Sequence, residues 1–456
     1  RSTRKESSAA SDVYKRQLNT TAAVVVGIRA TCSMTDRDPP ASATATTVSP
    51  SASSPLDLIV VGGGPAGYMA AITAAEQGVR QVLVLEGTPE PLQKVRISGG
   101  GRCNVTNACW DPRELATHYP RGSRPLRGPF SRFACGDAIA WFDEHGLTLV
   151  EEPDGRMFPQ QNRSEAVIQC LQKAARASGV QLRTKAMVQQ VRVHPEGGFV
   201  LEGRGLEPLH WGCLMLATGG HPSGRNLAEA LGHKVVPPVP SLFSLMLQAP
   251  ALTACSGIAI DDVGLDLKLG NERFRQTGRV LITHRGLSGP ATLRLSAFAA
   301  RALHQNRYKG DLRLDWSAGL GRSGVTERFQ QWREEQARRT LSAAKPFGHL
   351  PRRMWQAFVT LAGVEPERRW ADLPIKAERR LVELLCSQSV PIQGRGPFGE
   401  EFVTAGGVSL GDVNLATMES RRCPGLYLAG ELLDVDGVTG GFNFQACWSC
   451  LLYTSP

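Results

Sequence analysis

LDLIVVGGGPAGYMAAITAAEQG, Leu56 to Gly78, together with QVLVLE, which follows it and ends at Glu86, decides the fold. The two apolar runs LDLIVV and QVLVLE have the continuous hydrophobicity of strands buried on both faces of a parallel sheet. Between them an Ala-rich segment reads as a helix, and the turn that joins strand to helix carries Gly62, Gly64 and Gly67 in G-x-G-x-x-G spacing. Gly62 permits the tight turn, Gly64 leaves room for a pyrophosphate to approach the backbone, and Gly67 lets helix and strand pack closely. The helix N-terminus offers unpaired N–H groups and the positive end of its dipole to phosphates. Glu86, at the end of the second strand, is placed to accept hydrogen bonds from the adenosine ribose. A dinucleotide site is the expectation.

The spacing by itself is not selective in a chain with 48 glycines. GLGRSG (Gly319, Gly321, Gly324) and GRGPFG (Gly394, Gly396, Gly399) also satisfy it. No second strand ending in an acid follows the first of these, and the second leads into a strand-like segment, so both read as ordinary turns.

With 456 residues, two or three domains are expected, and 42% hydrophobic residues fit a globular chain. RSTRKESSAASDVYKRQ (1–17) and CLLYTSP (450–456) resemble translated adapter read-through, with Met34 the expected start. Residues 37–55, rich in Pro, Ser, Thr and Ala, read as disordered, so 1–55 is taken as a leader. The apolar stretch AAVVVGI at 22–28 falls far short of the roughly 20 residues that span a bilayer, and no membrane association is expected. Eleven cysteines, with no C-x-x-C pair once residues 450–456 are set aside, indicate free thiols in a reducing, cytoplasmic setting, and no metal site is expected. The net charge of +10 concentrates in residues 301–385, which hold 17 Lys and Arg against 10 Asp and Glu. Paired arginines recur there (Arg338/Arg339, Arg352/Arg353, Arg368/Arg369, Arg379/Arg380), interleaved with Trp316, Trp332, Trp355 and Trp370. Two readings stand: a nucleic-acid face in which arginines meet phosphates and aromatics stack on bases, or a solvated helical subdomain whose tryptophans form its own core.

Further along, KVRISGGGRCNVTN (Lys94 to Asn107) is too Gly- and Asn-rich for a plain connector. SEAVIQCLQKAARAS (164–178) is an amphipathic helix, and 180–220 alternates as a hairpin or meander before the buried strand CLMLATGG. Residues 234–300 are strand-rich, 301–385 mainly helical, and strand patterns return after 400. LMLATGG and LYLAGELLD read as later strands of the first sheet. The expected architecture is α/β: a dinucleotide-binding domain in two parts, 56–233 and within 386–449, split by a β-rich domain at 234–300 and a basic helical insert at 301–385.

VVGGGPAG, ISGGGRCNVTN, LATGG, ITHRGLSGPA, TAGGV and GLYLAGELLDVDGVTGGFNFQ occur in the order that characterises the BaiN/RdsA-type (YhiN-like) flavoproteins, which this chain resembles over about residues 56–449. The resemblance implies a Rossmann-like FAD-binding domain split by an inserted β-barrel-like domain carrying a helical subdomain, with FAD as cofactor. It implies that Gly62, Gly64 and Gly67 hold the pyrophosphate and Glu86 the ribose. Gly99, Gly100, Gly101, Arg102 and Cys103 would pass close to the flavin, and Thr218 and Gly219 would line the adenine side. Gly430 and Glu431 would open the segment along the ribitol and phosphates. Gly440, Gly441, Phe442 and Asn443 would begin a final helix facing the flavin pyrimidine. The chain departs from the pattern in its short HPSGRNLAEALGH after ATGG, in the residues flanking Lys94, and after Ser449, where the turns expected to anchor Gly440 and Asn443 are lost.

The implied chemistry is FAD-dependent oxidoreduction, with hydride delivered from reduced flavin to an activated C=C bond. Cys103, a thiol beside Arg102 and within easy reach, is the first candidate acid, and His284 in THRGLSG the second. Their plain alternatives are a small packing residue and a structural hydrogen-bonder. Activities implied by the resemblance are dihydrouridine formation in 23S ribosomal RNA, reduction of conjugated enones and aminoacetone oxidation. The basic segment 301–385 favours RNA as partner, a small molecule being the alternative substrate and a non-catalytic FAD-dependent RNA-binding factor the alternative role. No second dinucleotide unit is visible, so NAD(P)H is expected as a transient donor docking over the flavin.

Overall fold

The computed structural model describes residues 58–396 and 403–449. The leader, residues 450–456 and Gly399 of the second glycine-rich turn lie outside them. By contacts the chain divides into two compact units, one comprising 1–238 and 406–456, the other Val239–Ala405.

In the first unit a seven-stranded sheet holds, in spatial order, Val413–Asn414, Glu419–Ser420, Leu426–Leu428, Cys213–Leu216, β1 (Leu58–Val61), β2 (Val82–Leu85) and Gln181–Arg183. Strands from Leu426–Leu428 to Gln181–Arg183 pair in parallel, with Leu58 opposite both Val82 and Cys213. Every residue of LIVV, VLVL and CLML is buried, the consequence of covering both faces of a parallel sheet. Helix α1 (Pro65–Glu76) joins β1 to β2 with Ala66 to Ala74 all buried; its run of small residues lets it lie close to the strands. The amphipathic helix Ser164–Ala177 buries Val167, Ile168, Leu171, Ala174 and Ala175 on one face. The expected meander is a three-stranded antiparallel sheet of Met187–Val193, Phe199–Arg204 and Leu206–Trp211.

The second unit is built on a closed six-stranded barrel, in the order Leu245–Leu247, Gly286–Ser288, Glu272–Thr283, Ala259–Leu269, Gly310–Asp315 and Gln388–Arg395. Alternation fills its interior: Val263, Leu265, Leu267 and Leu269 point inward with Leu312, Leu314, Val390 and Ile392, while Lys268 and Arg273 face out. Gly310–Asp315 belongs to this barrel, so the segment expected to be mainly helical contributes one of the staves.

Helices Gly321–Glu335, Arg352–Leu361 and Ile375–Ser387 cover the barrel around an aromatic core. Trp316, Trp355 and Trp370 are fully buried; Trp355 and Trp370 stack at 6.1 Å with Phe329 edge-on to both. Trp332 packs at 5.8 Å on Trp370. These tryptophans are therefore core, and a base-stacking platform is not what they form. The Trp355 indole donates to Leu341 O at 2.7 Å, whereas the buried Trp370 indole N–H has no partner. Both Trp→Phe changes remove similar volume, but Trp355→Phe also loses a buried hydrogen bond, leaving Leu341 O with Ala344 N alone at 3.2 Å. The urea midpoint of the Trp355→Phe protein should fall further than that of Trp370→Phe, by the equivalent of about 1 kcal/mol; equal midpoints would contradict the difference in bonding.

Candidate cofactor site

The carboxyl ends of β1, Cys213–Leu216 and Leu426–Leu428 lie side by side, the edge at which parallel sheets bind nucleotides. The turn after β1 is built as the glycine spacing requires. Gly62 has φ +112°, open to glycine at no steric cost, and a Cβ on it would meet Ala217 O at 2.5 Å. A Cβ on Gly67 would sit 1.9 Å from Gly62 O, so the helix seats directly on the turn. A Cβ on Gly64 would meet nothing within 4 Å. Gly64 therefore faces open space, at the point where the first N–H groups of α1 lack intrahelical acceptors.

Glu86 closes the turn from the second strand. Its Oε2 accepts from Gly63 N at 2.8 Å and its Oε1 from Thr88 N at 2.8 Å and Thr88 Oγ1 at 2.7 Å, leaving lone pairs for further donors. From the third strand end, Gly430, at φ +70°, comes so near α1 that a Cβ on it would lie 2.8 Å from the Ala66 Cβ. Glu431 follows, partly buried, with its Oε2 4.0 Å from where a Gly219 Cβ would stand. Burial pushes the Glu431 carboxyl above its ordinary range while Lys94 pulls it back. Beside it the Thr218 hydroxyl is buried with no partner.

The Gly-rich loop follows Gln93–Gly101, where Gly99, Gly100 and Gly101 are exposed at φ +56°, +67° and +84°. Successive left-handed residues turn backbone N–H groups toward one side, and a Cβ on Gly100 or Gly101 would meet nothing within 4 Å. Arg102 is committed elsewhere: it pairs with Glu152, donates to Asn162 Oδ1 at 2.6 Å and lies 3.9 Å over the Phe158 ring. It fixes the loop to the neighbouring sheet, its guanidinium engaged by these partners. Cys103 is not as expected. Its side chain is fully buried in the unit's core, and burial pushes the thiol up to about 12, with Ser98 opposing. A thiol so placed is not within easy reach of a substrate or of solvent, and it packs rather than donates.

The loop's second half docks on the last helix, Phe442–Ser449. Gly441, at φ +93°, lies so close that a Cβ would be 2.4 Å from Thr106 O. With its amide oriented to match its neighbours, Asn104 accepts from Gly441 N at 2.9 Å and donates to Thr106 O at 2.9 Å. Asn107 donates to Gly440 O at 3.0 Å. Asn443 clamps its own turn, accepting from Gly437 N at 2.8 Å and donating to Gly437 O at 2.9 Å. Phe442 O accepts from Tyr119 Oη at 2.6 Å. The helix is then held by Trp448 Nε1 on Val105 O at 2.9 Å and Ser449 Oγ on Phe133 O at 2.7 Å. Gly440 and Asn443 are thus anchored by residues up to Ser449, contrary to the loss expected from sequence. Arg121 pairs through two nitrogens with the buried Asp436 carboxylate and ties down the same segment. Neither partner is signalled in the sequence, since 315 positions separate them.

His284 belongs to the second unit, exposed in the turn between Glu272–Thr283 and Gly286–Ser288. After LATGG the short loop is the helix Pro222–Ala230, capped by His221, whose Nδ1 accepts from Ser223 N at 3.2 Å. Among the described residues no helix is long and apolar enough to cross a membrane.

The first unit's residues fit FAD: open space at Gly64, Gly100 and Gly101, an orphaned hydroxyl at Thr218, and a helix N-terminus beside a carboxylate at the second strand end. A family model described as HI0933-like protein Rossmann domain matches residues 56–454. The chain is 30% identical over 408 residues to a ribosomal RNA dihydrouridine synthase of Escherichia coli K12, covering 86% of this chain and 96% of that one. It is 28% identical over 400 residues to a 3-dehydro-bile acid delta(4,6)-reductase of Clostridium scindens, with the same two coverages. A solved 3-ketosteroid-delta4-(5alpha)-dehydrogenase of Rhodococcus jostii RHA1 superposes with a TM-score of 0.47 at 14% identity, over 88% of this chain and 96% of that one, too distant to bear on function.

Gly64 and Gly67 separate folding from binding. Gly64→Ala has room for its methyl and a compatible φ of −83°, so circular dichroism should be unchanged while bound FAD falls at least about tenfold. Gly67→Ala should lose soluble protein as well, because its methyl meets backbone. Full FAD content in the Gly64→Ala protein would place the pyrophosphate elsewhere.

Proposed function

We propose, from the premise that this chain belongs to the HI0933-like family of FAD-dependent oxidoreductases, that it is a reductase of activated C=C bonds whose substrate is a uridine in 23S ribosomal RNA. NAD(P)H serves as the transient electron donor in this reading. Bound flavin supplies hydride to one carbon of the uracil C5=C6 bond, and the protein must supply a proton to the other. His284, which is exposed, takes that role in this reading in preference to the buried Cys103.

The observation that carries the RNA reading is a gathering of arginines on the second unit. Thr340 and Arg369 form an antiparallel bridge, Leu341 N donates to Arg368 O at 2.9 Å, and Trp370 N donates to Arg339 O at 3.1 Å. The bridge brings the pairs Arg338/Arg339 and Arg368/Arg369 together, all four exposed. Arg352, also exposed, bonds Ser342 O at 3.2 Å on the same stretch. Charges converging from distant parts of the sequence suit a phosphate backbone; the buried tryptophans beneath give the patch a rigid base.

The test is anaerobic reduction of the FAD-loaded full chain with NADPH or NADH, followed by addition of 23S RNA and observation of flavin reoxidation. RNA-dependent reoxidation with dihydrouridine as product is the expected result. In the Arg338→Glu/Arg339→Glu/Arg368→Glu/Arg369→Glu protein, RNA-dependent reoxidation should fall at least about tenfold and its salt dependence flatten, with reduction by NADPH unchanged. His284→Ala should slow reoxidation and spare reduction. Reoxidation by a conjugated enone or by O₂ with RNA inert would make the substrate a small molecule, and RNA binding without reoxidation would leave a binding factor.

A further inference from the structure

We propose that Cys109, Glu114 and His118 form a binding site for a divalent transition metal, with zinc the best-fitting ion. One ligand atom from each lies within 4.8 Å of the other two. The short helix Pro112–Thr117, capped by the Asp111 side chain accepting from Arg113 N at 2.7 Å, carries Glu114, and His118 follows at its C-terminus. Four residues apart, they share a face. Cys109 reaches the same point from the end of the Gly-rich segment, whose Ala108 N is held by Gly155 O at 2.6 Å.

The donor set favours zinc. A thiolate, an imidazole and a carboxylate suit a borderline-soft ion, and the two anions balance its charge. Three protein ligands leave a fourth tetrahedral position for water. Metal–ligand bonds of about 2.0–2.3 Å place tetrahedral ligands roughly 3.5 Å apart, so the 4.8 Å envelope must contract by about 1 Å. Burial is graded in the direction that allows this: Cys109 is buried, His118 half-buried, and Glu114 exposed and free to swing inward. The graded exposure also gives the ion an entry path.

The site is also mechanically joined to the cofactor segment. The His118 ring stacks on Phe442 at 4.1 Å and 10°, and its carbonyl accepts from Val438 N at 2.9 Å. A bound ion would fix the His118 ring and thereby brace the Val438–Phe442 turn from outside.

The test uses the full chain, stripped with a chelator and titrated anaerobically with Zn²⁺ against a chromophoric competitor, and with Co²⁺ for its spectrum. One equivalent of Zn²⁺ and a thiolate-to-cobalt charge-transfer band in the difference spectrum against the zinc form are expected. Cys109→Ser should abolish the band, and Glu114→Gln and His118→Gln should each weaken zinc binding by at least about tenfold. Glu114 is exposed, so its variant does not endanger the fold. Absence of stoichiometric uptake, a band that survives Cys109→Ser, or unchanged affinity in Glu114→Gln would overturn the site and leave a helical Glu–His pair beside a buried thiol.

Discussion

The seating of Gly67 against the Gly62 carbonyl is the contact on which the cofactor unit depends. It sets how close α1 comes to β1, and from that distance follow the direction of the first helical N–H groups and the room in front of Gly64. Gly430 repeats the device from the third strand end, approaching Ala66 on the same helix start. Two close backbone approaches from opposite ends of the chain thus shape one cradle. A methyl group at any of these points acts on the geometry of the whole edge, whereas at Gly64 it would enter open space.

A second set of contacts closes the unit. Asn104, Thr106 and Asn107 grip the Gly440–Gly441 turn, and Trp448 reaches back to Val105 across 343 residues. These groups are mostly backbone carbonyls and amides satisfied by side chains, the arrangement expected where two loops meet without a sheet between them. The Arg121–Asp436 pair adds a buried charge contact of the kind that is costly to break on one side, about 3–5 kcal/mol when a partner is removed.

Much of this was legible in the sequence. LIVV, VLVL, CLML and LYL announce a parallel sheet because burial on both faces leaves no alternation, and the tight turn at Gly62 and the close packing at Gly67 are seen in the backbone. What could not be read was direction. GGGRCN reads as open loop, yet Cys103 turns inward at φ +59° while the glycines before it stay exposed. Composition counts tryptophans and arginines together in 301–385; the structure separates them, rings inward and guanidinium groups outward. A signal was available: in RRMWQAFVTL, Met354, Trp355, Phe358 and Val359 recur at helical spacing and are the buried residues of that helix. Pairs such as Arg121 and Asp436 carry no local signature at all.

The interruption of the flavin unit by the barrel has a consequence for the order in which the chain matures. The buried cluster of the second unit draws on Phe243 to Ile392, whereas that of the first needs Tyr427, Ala429, Cys447 and Trp448 as well as residues before 238. On a ribosome the interior domain would have its whole core in hand while the flanking one still awaited its last helix. The nascent cofactor cradle would therefore wait, half-built and exposing an unpaired strand edge, through the synthesis of some 200 further residues after Leu216. Production of this fold would then depend on how well that waiting intermediate is shielded.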